Sequence, residues 1–194
     1  MMKKALLLTL LLSACATPQT EAQKPDDHEV DALRATAKTL TTQLGGRLKQ
    51  EMKANGPESA VRVCKQVAPQ IAADLSRQTG RKVGRVGTRV RNTETGVPDE
   101  WDAKALAVFT ERLKQGEKPD TMELVEVVTV SSGKQVLRYA KAITLQPMCV
   151  TCHGSPEHIP DGVKARLQAD YPHDKATGYG EGELRGAVVI SRPL

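Results

Sequence analysis

The sequence contains few aromatic residues and only a small excess of positive charge. Phe, Trp and Tyr together make up 3% of the 194 residues, and 28 basic residues stand against 23 acidic ones. Proteins that bind nucleic acid usually carry a stronger basic patch, and many of them stack bases on aromatic side chains. We therefore expect no nucleic acid among the partners of this chain.

The apolar run near the N-terminus is too short to cross a bilayer, which takes about 20 residues in a helix. It spans residues 5–12, ALLLTLLL, and follows Lys3 and Lys4. A short apolar stretch behind a positive N-terminus is typical of an export signal. Residues 12–15, LSAC, resemble the lipobox of bacterial lipoproteins, in which the cysteine receives a lipid.

These features predict a processed and anchored protein. Residues 1–14 are the expected signal peptide, Cys15 is the lipidated first residue of the mature chain, and residues 15–29 form a flexible tether. The alternative is an ordinary signal peptide cut near Ala16 without a lipid. With the lipid, the protein is exported and held at the periplasmic face of a bacterial membrane, which we take to be the outer membrane.

Residues 30–194 are predicted to form one domain that begins with helices. From Val30 onward apolar residues recur every three or four positions, which is the helical period. Asn55-Gly56-Pro57 ends the first helix. Pro69 lacks the amide that a helix needs, so it should kink or split the second helix.

The second half of the domain is dominated by strands. Residues 82–90 alternate between apolar and basic, two β-rich runs flank the turn SSGK, and residues 184–192 form a terminal strand. A helix around Trp101 and another from Ile159 to Tyr171 lie between these strands. The class is α+β, with antiparallel strands flanked by N-terminal helices.

The cysteines carry the strongest chemical signal. Once Cys15 is set aside, three of the four cysteines remain, an odd number in a compartment where thiols oxidise. Two of them lie in CVTCH, which fits the C-x-x-C-H signature of covalent c-type haem attachment. In this signature Cys149 and Cys152 bond the haem, and His153 binds its iron. One such motif predicts one haem c per chain.

Two other chemistries compete for the motif. A zinc site formed by its cysteines and histidine would need Cys64 as a fourth ligand, although adjacent Cys152 and His153 fit a tetrahedron poorly. A reversible dithiol is the other alternative, but the motif follows a β-hairpin and lacks the strand-to-helix setting of thioredoxin.

The sequence pattern alone does not identify the residue that binds the iron on its second axial side. Met148 adjoins the attachment site and cannot reach the opposite face, and His158 lies on the proximal side. His173, in DYPHDKATG, is far enough along the chain to fold over the distal face. Cys64 is either a ligand or a small buried residue on a helix.

Charged side chains could receive the two haem propionates through charge-assisted hydrogen bonds. Arg85, Arg89 and Arg91 lie on or near a predicted strand, and Arg138 and Tyr139 lie on the hairpin. A solvated basic face explains each of them equally well.

Four segments in order carry a family resemblance: ESAVRVCKQVAPQIA, RVGTRVRNTETGVPDEWDAKALAVF, QPMCVTCHGSPE and TGYGEGELRGAVVIS. Together they resemble the PAS-like, single-haem c-type domains of the cyanobacterial Tll type, over nearly all of residues 30–194. The resemblance implies a PAS-like fold with His153 as proximal ligand. It also implies that the cysteine of C-x-x-x-A-P, Cys64, is the distal ligand, with His173 as the alternative. The loop RNTETGVP departs from the family pattern.

The implied function is low-potential electron transfer or redox poise by a membrane-tethered cytochrome, with a redox partner protein still to be identified. A haem-based redox or gas sensor that signals through a partner protein is the alternative. We expect no enzymatic activity, because a thiolate on the iron leaves no open position for catalysis.

Overall fold

The computed structural model describes residues 25–194. The predicted signal peptide, the lipidated Cys15 and the start of the predicted tether lie outside the described residues. The first helix begins at Asp27, so the last three residues of the predicted tether are helical. Asp26 caps this helix, because its carboxylate accepts a hydrogen bond from the backbone N–H of His28.

Helices come first and an antiparallel sheet follows. The helices within residues 25–194 are α1 (Asp27–Arg62), α2 (Ala68–Thr79), α3 (Glu100–Lys114), α4 (Val150–His153) and α5 (Asp161–Asp170). The strands of this region are β1 (Lys82–Gly87), β2 (Glu123–Thr129), β3 (Gln135–Thr144) and β4 (Leu184–Pro193). They form one antiparallel sheet in the order β1-β4-β3-β2. The α+β class with N-terminal helices is thereby confirmed. In this part of the chain no helix is long and apolar enough to span a membrane.

Helix α1 is interrupted at Gly56, where the sequence predicts its end. Gly56 has φ 80° and ψ 175°, which is far from helical and suits a residue without a Cβ. The following Pro57 also disfavours a helical conformation at the residue before it. The chain resumes a helix at once and continues to Arg62, so α1 consists of two parts that meet at an angle.

A wide helical turn separates α1 from α2. Residues Val63–Val67 form a π-helix, and the backbone N–H of Ala68 donates to the carbonyl of Val63, five residues earlier. Pro69 stands in the first turn of α2 and has no N–H to offer the carbonyl of Lys65. The predicted break at this proline is confirmed as a split of the helix, and Cys64 lies inside the wide turn.

The helices cover both faces of the sheet. Helices α1 and α2 pack on one face and α3 packs on the other. The first core contains Leu33, Ala37, Leu40, Leu75, Val83, Leu137, Tyr139, Val188 and Ile190. The second core contains Val86, Trp101, Ala105, Leu106, Phe109, Met122, Ala140, Leu184 and Ala187. The sheet is thus buried on both sides, and the functional candidates lie at one end of it, where the strands give way to loops.

Strand β1 ends earlier than its alternating pattern predicts. The ladder with β4 runs from Lys82 opposite Ser191 to Gly87 opposite Gly186. The N–H of Gly87 donates to the carbonyl of Gly96 in the loop after β1. The N–H of Thr88 still reaches the Arg185 carbonyl of β4, but the N–H of Arg89 donates to the Tyr179 hydroxyl. The predicted strand through residue 90 is therefore wrong in its last three positions, and Arg91 enters the protein from a loop.

The start of α3 is held by charged groups at the sheet. Asp99 and Asp102 form a capping box, in which each carboxylate accepts the backbone N–H of the other. Arg138 of β3 binds both carboxylates at 2.8 Å, and its guanidinium lies 4.8 Å from the centre of the Trp101 ring. These contacts fix α3 against the second core.

Substitution Asp99→Ala should destabilise the protein, because it removes the helix cap and one carboxylate that binds Arg138. We expect a loss of about 1–2 kcal/mol in the free energy of unfolding, measured by urea denaturation. Glu111→Ala on the same helix is the matched control, since Glu111 forms one exposed pair with Lys114. That variant should change stability by less than about 0.5 kcal/mol. Equal losses in both variants would contradict the role of the cap.

Candidate functional site

The CVTCH motif folds into a single turn of helix, α4, which follows a short 3-10 turn at Pro147–Cys149. Helical backbone places residues three positions apart on the same side. Cys149 and Cys152 are both half-buried, and each packs against a different apolar group. Cys149 contacts the cluster of Leu145, Ala176 and Tyr179, and Cys152 contacts the cluster of Val61, Ile159, Val163, Leu167 and Tyr171.

The wide turn between α1 and α2 brings Cys64 into the neighbourhood of the motif. Burial raises the pKa of the Cys152 thiol to about 11, although the charge of Arg91 acts to lower it. Cys64 and Cys149 lie close enough to Cys152 to contribute to the rise. Cys64 itself is half-buried. Three cysteines from two distant parts of the chain therefore share one site.

The cysteines of the described region are free thiols, with no disulfide between them. Residues 25–194 also contain no group of three or more His, Cys, Asp or Glu side chains close enough together to hold a metal ion. A tetrahedral zinc site needs such a group, so the geometry gives no support to the zinc alternative. Iron in a haem needs only two protein ligands, one on each side, since the porphyrin supplies the other four.

His153 is held in a defined orientation by the backbone of the loop before β4. Its Nδ1 lies 2.7 Å from the carbonyl oxygen of Ala176. A carbonyl can only accept, so Nδ1 carries the proton and Nε2 keeps its lone pair. The backbone N–H of Tyr179 donates to the His153 carbonyl at 3.0 Å, and the Tyr179 ring meets the imidazole edge-on at 6.3 Å. The loop thus fixes both the backbone and the ring of His153.

The electrostatics around His153 favour its neutral form. Burial lowers the pKa of His153 well below its usual value, and the nearby charges of Arg91 and Arg185 lower it further. A neutral imidazole with one free lone pair is the form that binds a metal. A backbone carbonyl that accepts from Nδ1 and so fixes the tautomer is a common feature of metal-binding histidines.

Arginine side chains surround the motif. Arg91 is 7% exposed and lies 3.5 Å from Nε2 of His153. Burial lowers the pKa of Arg85 and of Arg185. The nearby Cys64 and Tyr171 side chains act in the other direction and raise the pKa of Arg85. Among residues 25–194, Arg85 has no hydrogen-bond or ion-pair partner. Arg85 is half-buried, and a cation without a protein partner in this region suits an anionic group that lies beside Cys64.

The other predicted candidates are placed elsewhere. His173 and His158 are exposed. On the hairpin, Arg138 is paired with the capping carboxylates of α3, and the Tyr139 hydroxyl donates to Glu123 at 3.1 Å. These last two side chains already have partners, so the structure lends no support to propionate binding by either of them.

Two contributors to the site were missed at the sequence level, Asp174 and the carbonyl of Ala176. Asp174 pairs with Arg91 at 2.9 Å, and Ala176 orients His153. They lie in the same segment as His173, which attracted interest because of its residue type. The order Asp-x-Ala has no recognisable pattern, and a backbone carbonyl leaves no trace in a sequence, so no signal was available for either.

The residues present fit a covalently attached haem. Two free thiols lie on one helical turn, a neutral imidazole keeps its Nε2 lone pair, and a third thiol reaches the same region from the wide turn. Arg85 adds an unpaired cation within the described region. This donor set matches the needs of a c-type haem with a histidine and a cysteine ligand.

Comparison with known proteins places the chain in a family. One solved structure, described as the crystal structure of the cyanobacterial heme-protein Tll0287, is 22% identical and superposes with a TM-score of 0.66. The match covers 87% of this chain and 97% of that one, so the two share a fold. No curated protein matches the sequence. The model of the Tll0287-like family matches residues 18–193. A match over so much of the sequence shows that this chain belongs to the Tll0287-like family.

Proposed function

We propose that the chain is a monohaem c-type cytochrome domain. The observation that carries the proposal is the state of His153 in the C-x-x-C-H turn. Nδ1 donates to Ala176, so Nε2 keeps the lone pair that would bind iron, with Arg91 Nη1 as its long hydrogen-bond partner at 3.5 Å. The family membership supports it, because the solved relative is described as a heme-protein. Cys149 and Cys152 would attach one haem c through thioether bonds, and His153 would bind the iron on the proximal side.

Cys64 is the proposed distal ligand. Its support is its position in the π turn, near Cys152 and the half-buried cation of Arg85. Bound there, a haem would supply one-electron exchange between ferric and ferrous iron. The Cys64 thiolate would stabilise ferric iron and keep the reduction potential below that of a histidine–methionine cytochrome. Arg85 would receive a haem carboxylate.

The proposed role is electron transfer or redox poise outside the cytoplasm. Lipidated Cys15 would anchor the exported chain at the periplasmic face of a membrane, which we take to be the outer membrane. The tether before α1 would then let the domain meet an unidentified redox partner protein. We propose neither an enzymatic activity nor nucleic acid binding, and His173, the one distal acid–base candidate, is exposed.

A haem-based sensor is the second candidate function, and the π turn favours it. A thiolate binds ferrous iron less strongly than ferric iron, so Cys64 would be a ligand that can leave on reduction. A wide turn between two helices can tighten or shift, because its hydrogen bonds do not follow the regular helical spacing. Movement of Cys64 would therefore pass to α1 and α2, and a partner protein would carry the signal.

Covalent haem attachment predicts a red protein. When the mature chain is produced with a c-type maturation system, the haem should stay with the polypeptide after acid–acetone extraction. Cys149→Ser and Cys152→Ser should each remove one thioether bond, which shifts the alkaline pyridine haemochrome band. Cys64→Ala is the matched control and should keep the haem covalently bound. A colourless wild-type protein would contradict the proposed function.

The distal ligand is tested by the ferric absorption and EPR spectra of Cys64→Ala. Loss of the thiolate should convert a low-spin spectrum into a high-spin or water-ligated one, because the iron loses its sixth ligand. His173→Ala should leave the spectrum unchanged. The opposite result, with a change only in His173→Ala, would make His173 the ligand.

Carrier and sensor are separated by carbon monoxide binding to the reduced wild type. For a carrier we expect Cys64 to stay on the iron, with rapid electron exchange with a small redox protein and no carbon monoxide spectrum. For a sensor we expect the carbon monoxide spectrum to form within the mixing time, as it should in reduced Cys64→Ala, the positive control. If carbon monoxide binds the reduced wild type as fast as it binds reduced Cys64→Ala, then Cys64 does not stay on the iron in both the ferric and the ferrous state.

A further inference from the structure

The carbonyl of Ala176 accepts two hydrogen bonds, and both come from the site. One is the 2.7 Å bond from Nδ1 of His153, and the other comes from Nη2 of Arg91 at 3.1 Å. The same Nη2 also donates to the carbonyl of Cys152 at 2.5 Å. Nη1 of Arg91 also lies 3.5 Å from Nε2 of His153. Arg91 therefore joins the haem-attachment turn to the loop that orients its histidine, and it approaches the imidazole itself.

Asp174 completes this arrangement from within the loop. Its Oδ2 accepts from Nε of Arg91 at 2.9 Å, and its Oδ1 accepts from the backbone N–H of Ala176 at 2.7 Å. The Arg91 and Asp174 side chains are only 7% and 11% exposed. Removing one member of so buried a pair leaves the other charge without compensation.

A hydrogen bond to Nδ1 controls how strongly a histidine donates electrons to a metal. A stronger acceptor gives the imidazole more negative character, and a competing cation on the same carbonyl weakens that acceptor. Arg91 is such a cation, and Asp174 neutralises it. Charges act strongly here, because the site is shielded from water and the local dielectric constant is low.

We propose that Arg91 and Asp174 are positioning residues that set the electron donation of His153 to the iron through the carbonyl of Ala176. This inference rests on the proposed haem function and deepens it. The pair acts in two ways. Its geometry holds the acceptor for Nδ1 in place, and its balance of charge decides how good that acceptor is.

Two single substitutions should move the reduction potential in opposite directions. Asp174→Asn keeps an oxygen for the Ala176 N–H but leaves the charge of Arg91 unbalanced, which favours ferrous iron and raises the potential. Arg91→Gln leaves the charge of Asp174 unbalanced and lowers the potential. We expect each to change the ferric-to-ferrous ratio at a fixed potential about tenfold, which is about 59 mV for a one-electron couple. The measurement is a spectroscopic redox titration.

The double variant Arg91→Gln/Asp174→Asn should return close to the wild-type potential, because no net charge is left. Arg91→Lys keeps the cation and should stay closer to the wild type than Arg91→Gln does. Asp102→Asn is the matched control on the other face of the sheet, where it weakens a buried pair with Arg138. It should lower the stability and leave the potential unchanged.

A purely structural role predicts a different pattern. Both single substitutions would then shift the potential in the same direction or not at all, and the double variant would be the most perturbed of the three. Either result, with haem bound, overturns this inference and leaves the proposed function intact. A colourless wild type would contradict the proposed function and this inference with it.

Discussion

The site depends on one hydrogen bond, between Nδ1 of His153 and the carbonyl of Ala176. A single turn of helix such as α4 has little stability of its own, since one turn fixes several residues for very few hydrogen bonds. It is held by the loop before β4, whose N–H groups at Gly178 and Tyr179 donate to the carbonyls of Gly154 and His153. The loop in turn is tied to the rest of the protein through Lys175, which donates to Val90. The orientation of one imidazole is thus built from three segments.

Cys64 reaches the site from a distant part of the chain, because helix α1 carries it there. The break at Gly56 lets the last part of α1 leave the direction of the first part, and this last part packs beside α5. Val61 near the end of α1 is buried in one cluster with Val163 and Leu167 of α5. Close packing of α1 on α5 therefore brings the π turn, and Cys64 with it, beside the attachment motif.

The features that could be predicted from the sequence are those that short segments of the chain determine. The C-x-x-C-H spacing, the break at Pro69 and the hairpin around SSGK each depend on residues that are neighbours in the chain, and for the last two the structure agrees. The end of β1 at Gly87 could not be predicted, because it depends on a distant partner: the N–H of Arg89 donates to the Tyr179 hydroxyl, 90 positions along the chain. The pairing of Arg91 with Asp174 joins residues 83 positions apart. Nothing in the local sequence of either residue indicates the other, and only the packed loops bring them together.

The position of Cys64 also depends on the number of residues in the π turn. A π-helix contains one residue more per turn than an α-helix, and each residue turns a helix by about 100°. Deleting one residue between Val63 and Val67 would narrow the wide turn toward α-helical spacing, but Pro69 would still leave one carbonyl without its helical partner. The deletion would also rotate Cys64 and α2 relative to each other, so the thiol would leave the site or Leu75 would leave the core. The number of residues in this region is therefore constrained as well as their identity, and a shorter relative would have to give up either the position of this thiol or the packing of α2.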